Sequence, residues 1–193
     1  MYTINARLLK AVAVAMAKEE TRYYLYGVSF TVKDNWAVLR ATDGHRLILA
    51  RQPCIGDNCD VIIPRTLIDK IKLARKAAPE LTVAITSGTV SLAYAGETFG
   101  GALIDGTFPN TARIVQGVKP DIGEAAQFNP DYLVDFKRAA EIMQDGSPDP
   151  VVYHNGNSPA LVRIGSQSDI FGVVMPYRIG QDLKSAPSIA WAC

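Results

Sequence analysis

Apolar and polar positions along this chain change rhythm in the same order three times. Ile4, Leu8, Val12 and Met16 recur at helical spacing after a short extended start. A two-residue alternation follows over 23–32, through Leu25, Val28, Phe30 and Val32 after an interruption at Gly27, which predicts a strand. From Trp36 to Ala50 two apolar-rich runs flank Asp43-Gly44, a dipeptide that predicts a tight two-residue hairpin turn. The order is β-α-β-β-β.

It begins again at Val61-Ile-Ile-Pro64, where the proline suits a helix entrance and Leu67, Ile68, Ile71 and Ala74 form one stripe. Three short strands are predicted over 81–85, 89–94 and 98–104, divided by Ser87-Gly88 and Gly96, and Asp105-Gly-Thr-Phe-Pro109 closes the unit. A stretch at 116–126, with Pro120 and two glycines, reads as a linker. The third start is Phe128-Asn-Pro-Asp-Tyr132, with Phe136, Ala139 and Ala140 continuing the helical face. Strands are predicted over 151–153, 160–164 and 170–175. Ile4/Leu8/Val12, Ile63/Leu67/Ile71 and Phe128/Tyr132/Phe136 superpose, so the chain carries an internal repeat of roughly sixty residues. The expected class is α+β, antiparallel sheets with helices on one face. Units at 1–56 and 60–115 make one domain, 127–180 half of another, and 181–193 a tail.

Composition changes this picture little. The 193 residues are 48% hydrophobic with mean hydropathy near zero, enough for a real core. Twenty basic against nineteen acidic residues leave a net charge of +1, so charge has to be read locally. Cys54, Cys59 and Cys193 cannot all pair, and Cys-x4-Cys without further ligands is a poor zinc site, so free thiols in a reducing cytoplasm are expected and no metal. The apolar run at 11–17 is too short for a signal peptide or a membrane span.

Local charge does carry information. On the second predicted helix Arg65, Asp69, Lys72, Arg75 and Lys76 lie opposite the apolar stripe, a basic face, with Lys70 on the flank. The first helix lines up Arg7, Lys10 and Lys18, whereas the third sets Lys137 and Arg138 against Asp131, Asp135 and Glu141. Catalytic chemistry finds little support: Asp43 and His45 flank a glycine with no nucleophile or third ligand nearby, His154 reads as a turn residue, and no phosphate-binding glycine loop is present. No cofactor is expected.

Three segments, Arg22-Tyr-Tyr-Leu-Tyr-Gly27, Ala-Thr-Asp-Gly-His-Arg-Leu at 41–47 and Asp-Gly-Thr-Phe-Pro at 105–109, closely resemble in order and spacing the middle domain of the bacterial replicative sliding clamp, the DNA polymerase III beta subunit. Phe128-Asn-x-x-Tyr132 and Val-Val-Met-Pro-Tyr-Arg-Ile at 173–179 resemble the second half of that family's last domain and its terminal signature. The resemblance covers about residues 1–180. It implies the DNA clamp (processivity) fold and a non-enzymatic ring around duplex DNA that tethers a polymerase. It also shows what is missing: this chain has three units where a family protomer has six. Four copies would therefore close a ring of the family's size, a homotetramer by that arithmetic, with either isologous or head-to-tail closure.

The DNA-facing positions implied are Arg7, Lys10, Lys18, Arg65, Lys72, Arg75, Lys76, Lys137 and Arg138, contacting phosphates without reading base edges. The family's second site is a hydrophobic pocket between its middle and last domains that takes short linear motifs from polymerases and clamp loaders. Matching positions are Leu25, Thr42, Gly44, His45, Arg46, Leu47, Asn129, Tyr132, Val173, Val174, Met175, Pro176 and Arg178. Tyr177 stands where the family commonly has Met, and Gln116 where Pro is usual. That pocket requires His45 and Met175 to be close, so the first and third units should be neighbours. In the tail, Gln181 and Leu183 are similar to a clamp-binding peptide, and Ile189 with Trp191 could cover an apolar surface. The alternative function is a clamp-fold adaptor or decoy that binds replication proteins without encircling DNA.

Overall fold

In a computed structural model, described over residues 1–74, 79–118 and 126–177, the strands form two antiparallel sheets. The first unit comprises β1 (Tyr2–Asn5), α1 (Ala6–Ala13), β2 (Gly27–Lys33), β3 (Trp36–Thr42) and β4 (Arg46–Pro53). The second comprises β5 (Cys59–Pro64), α2 (Arg65–Ile68), β6 (Glu80–Thr86), β7 (Thr89–Tyr94) and β8 (Glu97–Ala102). A short helix, α3 (Thr111–Gln116), leads toward the third unit of α4 (Pro130–Ile142), β9 (Val151–Tyr153), β10 (Ala160–Arg163) and β11 (Ile170–Val174). One sheet runs β1-β6-β7-β8 and the other β5-β2-β3-β4-β11-β10-β9.

The first two units are interlocked. Each lends its leading strand to the other's sheet: β1 pairs with β6, Ile4 opposite Leu81, and β5 pairs with β2, Ile63 opposite Val28. Each exchanged strand puts its alternate side chains into the common core, where Ile4, Val28, Ile63 and Leu81 are all buried. Among the described residues, the leading segment of the third unit makes a single bridge, between Gln127 and Tyr177. The seam between first and third units is a full ladder, with Leu47 opposite Val173 and Arg46 opposite Val174. Those two units are neighbours although the second lies between them in the chain.

Helix α1 is flanked by α2 on one side and α4 on the other. That position explains its composition: Ala6, Leu8, Leu9, Ala11, Val12 and Ala13 are all buried, and alanines let the neighbouring elements approach. Asn5 caps it, its side chain accepting from the N–H groups of Arg7 and Leu8, and Asn129 caps α4 in the same way through Asp131. Phe136 on α4 is fully buried and lies directly beneath Gly172, where a side chain on β11 would collide with its ring. The glycine is thus what lets the third helix close onto its sheet.

Several local expectations are corrected. The segment predicted as a strand from residue 23 is a 3₁₀ helix, Glu20–Leu25, and β2 starts only at Gly27, whose missing side chain leaves room for the carbonyl of Ile63. Asp43-Gly44 is not a two-residue turn: Thr42 pairs with Leu47, so the loop spans four residues. The tight turn is Asp34-Asn35, both with positive φ (52° and 62°), between paired Lys33 and Trp36. The second helix is a single turn and Lys72 lies beyond it, because Leu67, Ile68 and Ile71 reach the core without further helix. Strand β8 ends at Ala102, not 104, and α3 occupies the end of the second unit, where the sequence pattern predicts no helix.

Candidate partner-binding site and basic face

The loop between β3 and β4 is organised by its own polar side chains. Asp43 Oδ1 accepts from the backbone N–H groups of His45 (2.9 Å) and Arg46 (3.0 Å). Thr42 Oγ1 donates to the Arg46 carbonyl (2.7 Å) and accepts from Gly44 N–H (3.0 Å). Gly44, at φ 96°, takes a conformation that side chains disfavour, and a Cβ there would come within 3.0 Å of the Arg22 guanidinium. The result is a rigid tip that presents His45 outward and turns Arg46 inward.

Arg46 is almost entirely buried. Its guanidinium pairs with Asp43 and with Asp135 of α4 (2.6 Å), donates to the Val14 carbonyl at the end of α1 (2.9 Å), and lies 4.9 Å from the centre of the Tyr132 ring. One side chain thereby ties the hairpin tip to both neighbouring helices. Tyr132 in turn stacks on His45, ring centres 6.2 Å apart and nearly parallel. Burial, with the Asp43 carboxylate second, raises the Tyr132 pKa above its ordinary value.

Beside this network opens a cavity of about 520 Å³, whose wall includes Lys18, Arg22, His45, Asn129, Asp131 and Tyr132. At its seam with β11, Met175 N–H donates to the His45 carbonyl (2.9 Å), and Met175 is 42% exposed, as an apolar anchor point must be. Of the expected positions, His45, Arg46, Asn129 and Tyr132 line the cavity, Thr42, Gly44, Leu47, Val173, Val174, Met175 and Pro176 follow the β4–β11 seam and its open end, and Arg178 lies outside the described residues. Leu25, Leu47, Val173 and Val174 are buried, so they support the wall and do not form its surface. The accessible lining is more ionic than the hydrophobic pocket expected. Arg22, Asp43, Asp131 and Asp135 had not been assigned to it, although Arg22 and Asp43 stand inside the two segments that carried the resemblance. Lys18, placed on the DNA face by helical spacing, lines this cavity instead, because α1 ends at Ala13.

The remaining basic candidates cluster on the helix layer, but many are engaged. Lys10 Nζ donates to the Ile68 carbonyl (3.2 Å) and lies 4.0 Å from Asp69. Burial first, then the charges of Arg138 and Arg65, lower its pKa against the attraction of Asp69. Arg65 donates to the Ala17 carbonyl (3.0 Å) and pairs with Asp69 (3.5 Å), Arg7 donates to the Ala74 carbonyl (2.9 Å), and Lys137 pairs with Asp149 (2.9 Å). These side chains join the α1 region to the α2 region and α4 to the segment just before β9. Lys72 and Arg138 are exposed; Arg75 and Lys76 lie outside the described residues. Among the described residues no cluster of three metal-ligating side chains occurs, and no helix is long and apolar enough to cross a membrane.

Comparison with known proteins agrees with this architecture. The beta sliding clamp of Pseudomonas putida is 38% identical over 115 residues, covering 56% of this chain and 31% of its own length. That of Staphylococcus epidermidis is 26% identical over 164 residues, covering 83% and 42%. The chain therefore spans about a third to two-fifths of the curated relatives it matches. Among solved structures, the DNA polymerase sliding clamp from Bacillus subtilis superposes with a TM-score of 0.71 at 19% identity, covering 92% of this chain and 64% of that one. The sliding clamp from Bartonella birtlesii bound to griselimycin gives 0.70 at 21%, covering 92% and 65%. Those likenesses establish the DNA clamp fold. Residues 3–110, more than half of the chain, match the family model for the central domain of the DNA polymerase III beta subunit, and the protein belongs to that family.

Proposed function

We propose that this protein is a shortened sliding clamp: a non-enzymatic processivity factor that closes as a homotetrameric ring around duplex DNA and receives short peptide motifs of a polymerase, or of a clamp loader, at the seam between its first and third units. Residues 1–115 serve as a complete clamp domain and 127–180 as a half domain, joined by 116–126. The observation that carries the reading is the β4–β11 ladder. It sets the third unit beside the first along one sheet and brings Met175 to His45, the juxtaposition that a peptide seam between these two units needs. Lys72 and Arg138 contact phosphates on the helix layer, retention on DNA is topological, and affinity for open linear duplex is weak and falls with salt.

The test is retention. Loaded on closed circular duplex, the protein stays bound through gel filtration and is released when the circle is linearised; equal loss from circle and linear DNA would refute encirclement. A second reading, an adaptor that binds replication proteins without encircling DNA, draws on the internal engagement of Lys10, Arg65 and Lys137, which leaves fewer cations for phosphates. It predicts peptide binding with no topology-dependent retention.

A further inference from the structure

The third unit is incomplete in a way that the first two units define. In the complete pair the leading strand β5 makes two kinds of contact. Within its own unit, Ile62 of β5 accepts a hydrogen bond from Ile104 N–H (3.0 Å), just past the last strand. Across to the other unit, the same strand forms the ladder with β2. In the third unit the first contact is kept: the Gln127 carbonyl accepts from Tyr177 N–H, again just past the last strand. The second contact has no counterpart among the described residues. Reciprocally, β9 stands at the edge of its sheet where β2 carries β5 and β6 carries β1. A unit that, among the described residues, leaves one leading segment and one strand edge without a ladder partner is complementary to itself under a two-fold rotation.

The helices locate the axis. Lys10, Asp69 and Val134 are each the fifth residue counted from the start of α1, α2 and α4. In the complete pair Lys10 and Asp69 face each other at 4.0 Å, so equivalent positions of two units meet across the local two-fold. At that position the third unit has Val134, 62% exposed. Two different units can place opposite charges there, but two identical units would place like charges on the axis, so an uncharged side chain is what a homotypic contact requires. Val151, 51% exposed, adds apolar surface on the edge strand β9.

We propose that the third unit pairs with the third unit of a second copy, α4 against α4 with Val134 facing Val134, each copy's leading segment at 126–128 completing the β9 edge of the other. This deepens the ring reading, on which it rests only for the number of copies, by making one of the ring contacts isologous. The closure is then dihedral, not head-to-tail.

The test uses the full chain. In a background carrying Cys54→Ala, Cys59→Ser and Cys193→Ser, with folding checked by circular dichroism, Val134→Cys is oxidised with copper phenanthroline, which joins two thiols as a disulfide and takes up the two electrons while two protons are released. A two-chain product on a non-reducing gel is expected. Independently, Val134→Asp, a substitution on exposed surface, halves the mass in sedimentation while leaving the thermal midpoint of the fold unchanged. An unchanged mass in Val134→Asp, with no disulfide-linked two-chain product from Val134→Cys, overturns the proposal. So does preferential cross-linking of the Val134→Cys thiol to that of Thr98→Cys, placed on the edge strand β8 of another copy, which marks head-to-tail closure. If the two-chain contact forms but retention on circular DNA fails, the ring reading falls and this contact stands. Retention with an unaffected Val134→Asp mass gives the reverse.

Discussion

Met175 N–H donates to the carbonyl of His45 at 2.9 Å, joining residues 130 positions apart at the open end of the β4–β11 ladder. The bond closes the sheet at the point where the exposed Met175 meets His45, whose ring stacks on Tyr132 of α4. On the proposed peptide-binding function, both should contribute to affinity. Met175→Ala and Tyr132→Ala are each expected to weaken a fluorescently labelled clamp-binding peptide about ten-fold by polarisation, a loss of about 1.4 kcal/mol typical of truncating an anchor contact. Met175→Ala should leave thermal stability nearly unchanged because the side chain is substantially exposed.

Arg46 makes the opposite prediction. Its buried guanidinium neutralises Asp43 and Asp135 together, so Arg46→Ala leaves two carboxylates facing each other without a cation. A destabilisation of about 3 kcal/mol in urea denaturation is expected, at the low end for a broken buried pair because both carboxylates retain some solvent contact. Arg46→Ala with Asp135→Asn should lose less than the sum of the two single changes.

Beneath the third sheet, Gly172→Ala drives a methyl group into the ring of Phe136 and should cost about 1–3 kcal/mol. Phe136→Leu in the same chain gives the methyl room, so the double variant should be more stable than additivity predicts.

Asp145 supplies a pH dependence. Its carboxylate accepts from Ser147 N–H first, then from Ser166 N–H and hydroxyl, which holds its pKa below the ordinary carboxylate value of 3.8. A group whose folded pKa is depressed contributes fully above the unfolded value and loses that contribution as pH falls through the folded one. Stability should therefore fall more steeply below about pH 4 in the parent than in Asp145→Asn, as measured by thermal midpoints from about pH 6 to about pH 2.

On the helix layer, Lys72→Ala and Arg138→Ala should each reduce the magnitude of the log–log salt slope of DNA binding by roughly 0.9, one phosphate contact apiece. Lys18→Ala should leave that slope unchanged, since Lys18 lines the cavity beside the seam.

Much of this molecule is legible in one dimension, and for a physical reason. Apolar periodicity reports which face of an element is buried, so the three-fold order, the helical stripes that begin at Ile4 and Phe128, and the core positions Ile4, Ile63 and Phe136 follow from the sequence. The segments at 22–27, 41–47 and 173–179 carried enough family character to require His45 beside Met175. What they could not carry is contact-dependent. A periodic pattern cannot say how many turns a helix keeps, and α2 stops after one because Ile71 reaches the core by another route. Nor can spacing tell whether a cation faces solvent: Lys10 and Arg65 lie on the wet side of their helices, yet helix packing aims them at backbone carbonyls and Asp69. Arg46 sits in a turn sequence that reads as surface, and only the approach of α4 buries it. The unpaired edge of β9 and the outward Val134 are visible only once the exchange of β1 and β5 shows what a completed unit looks like. Local patterning is set by neighbours in sequence, whereas the partner of a charge or a strand edge is chosen by whatever tertiary packing brings beside it.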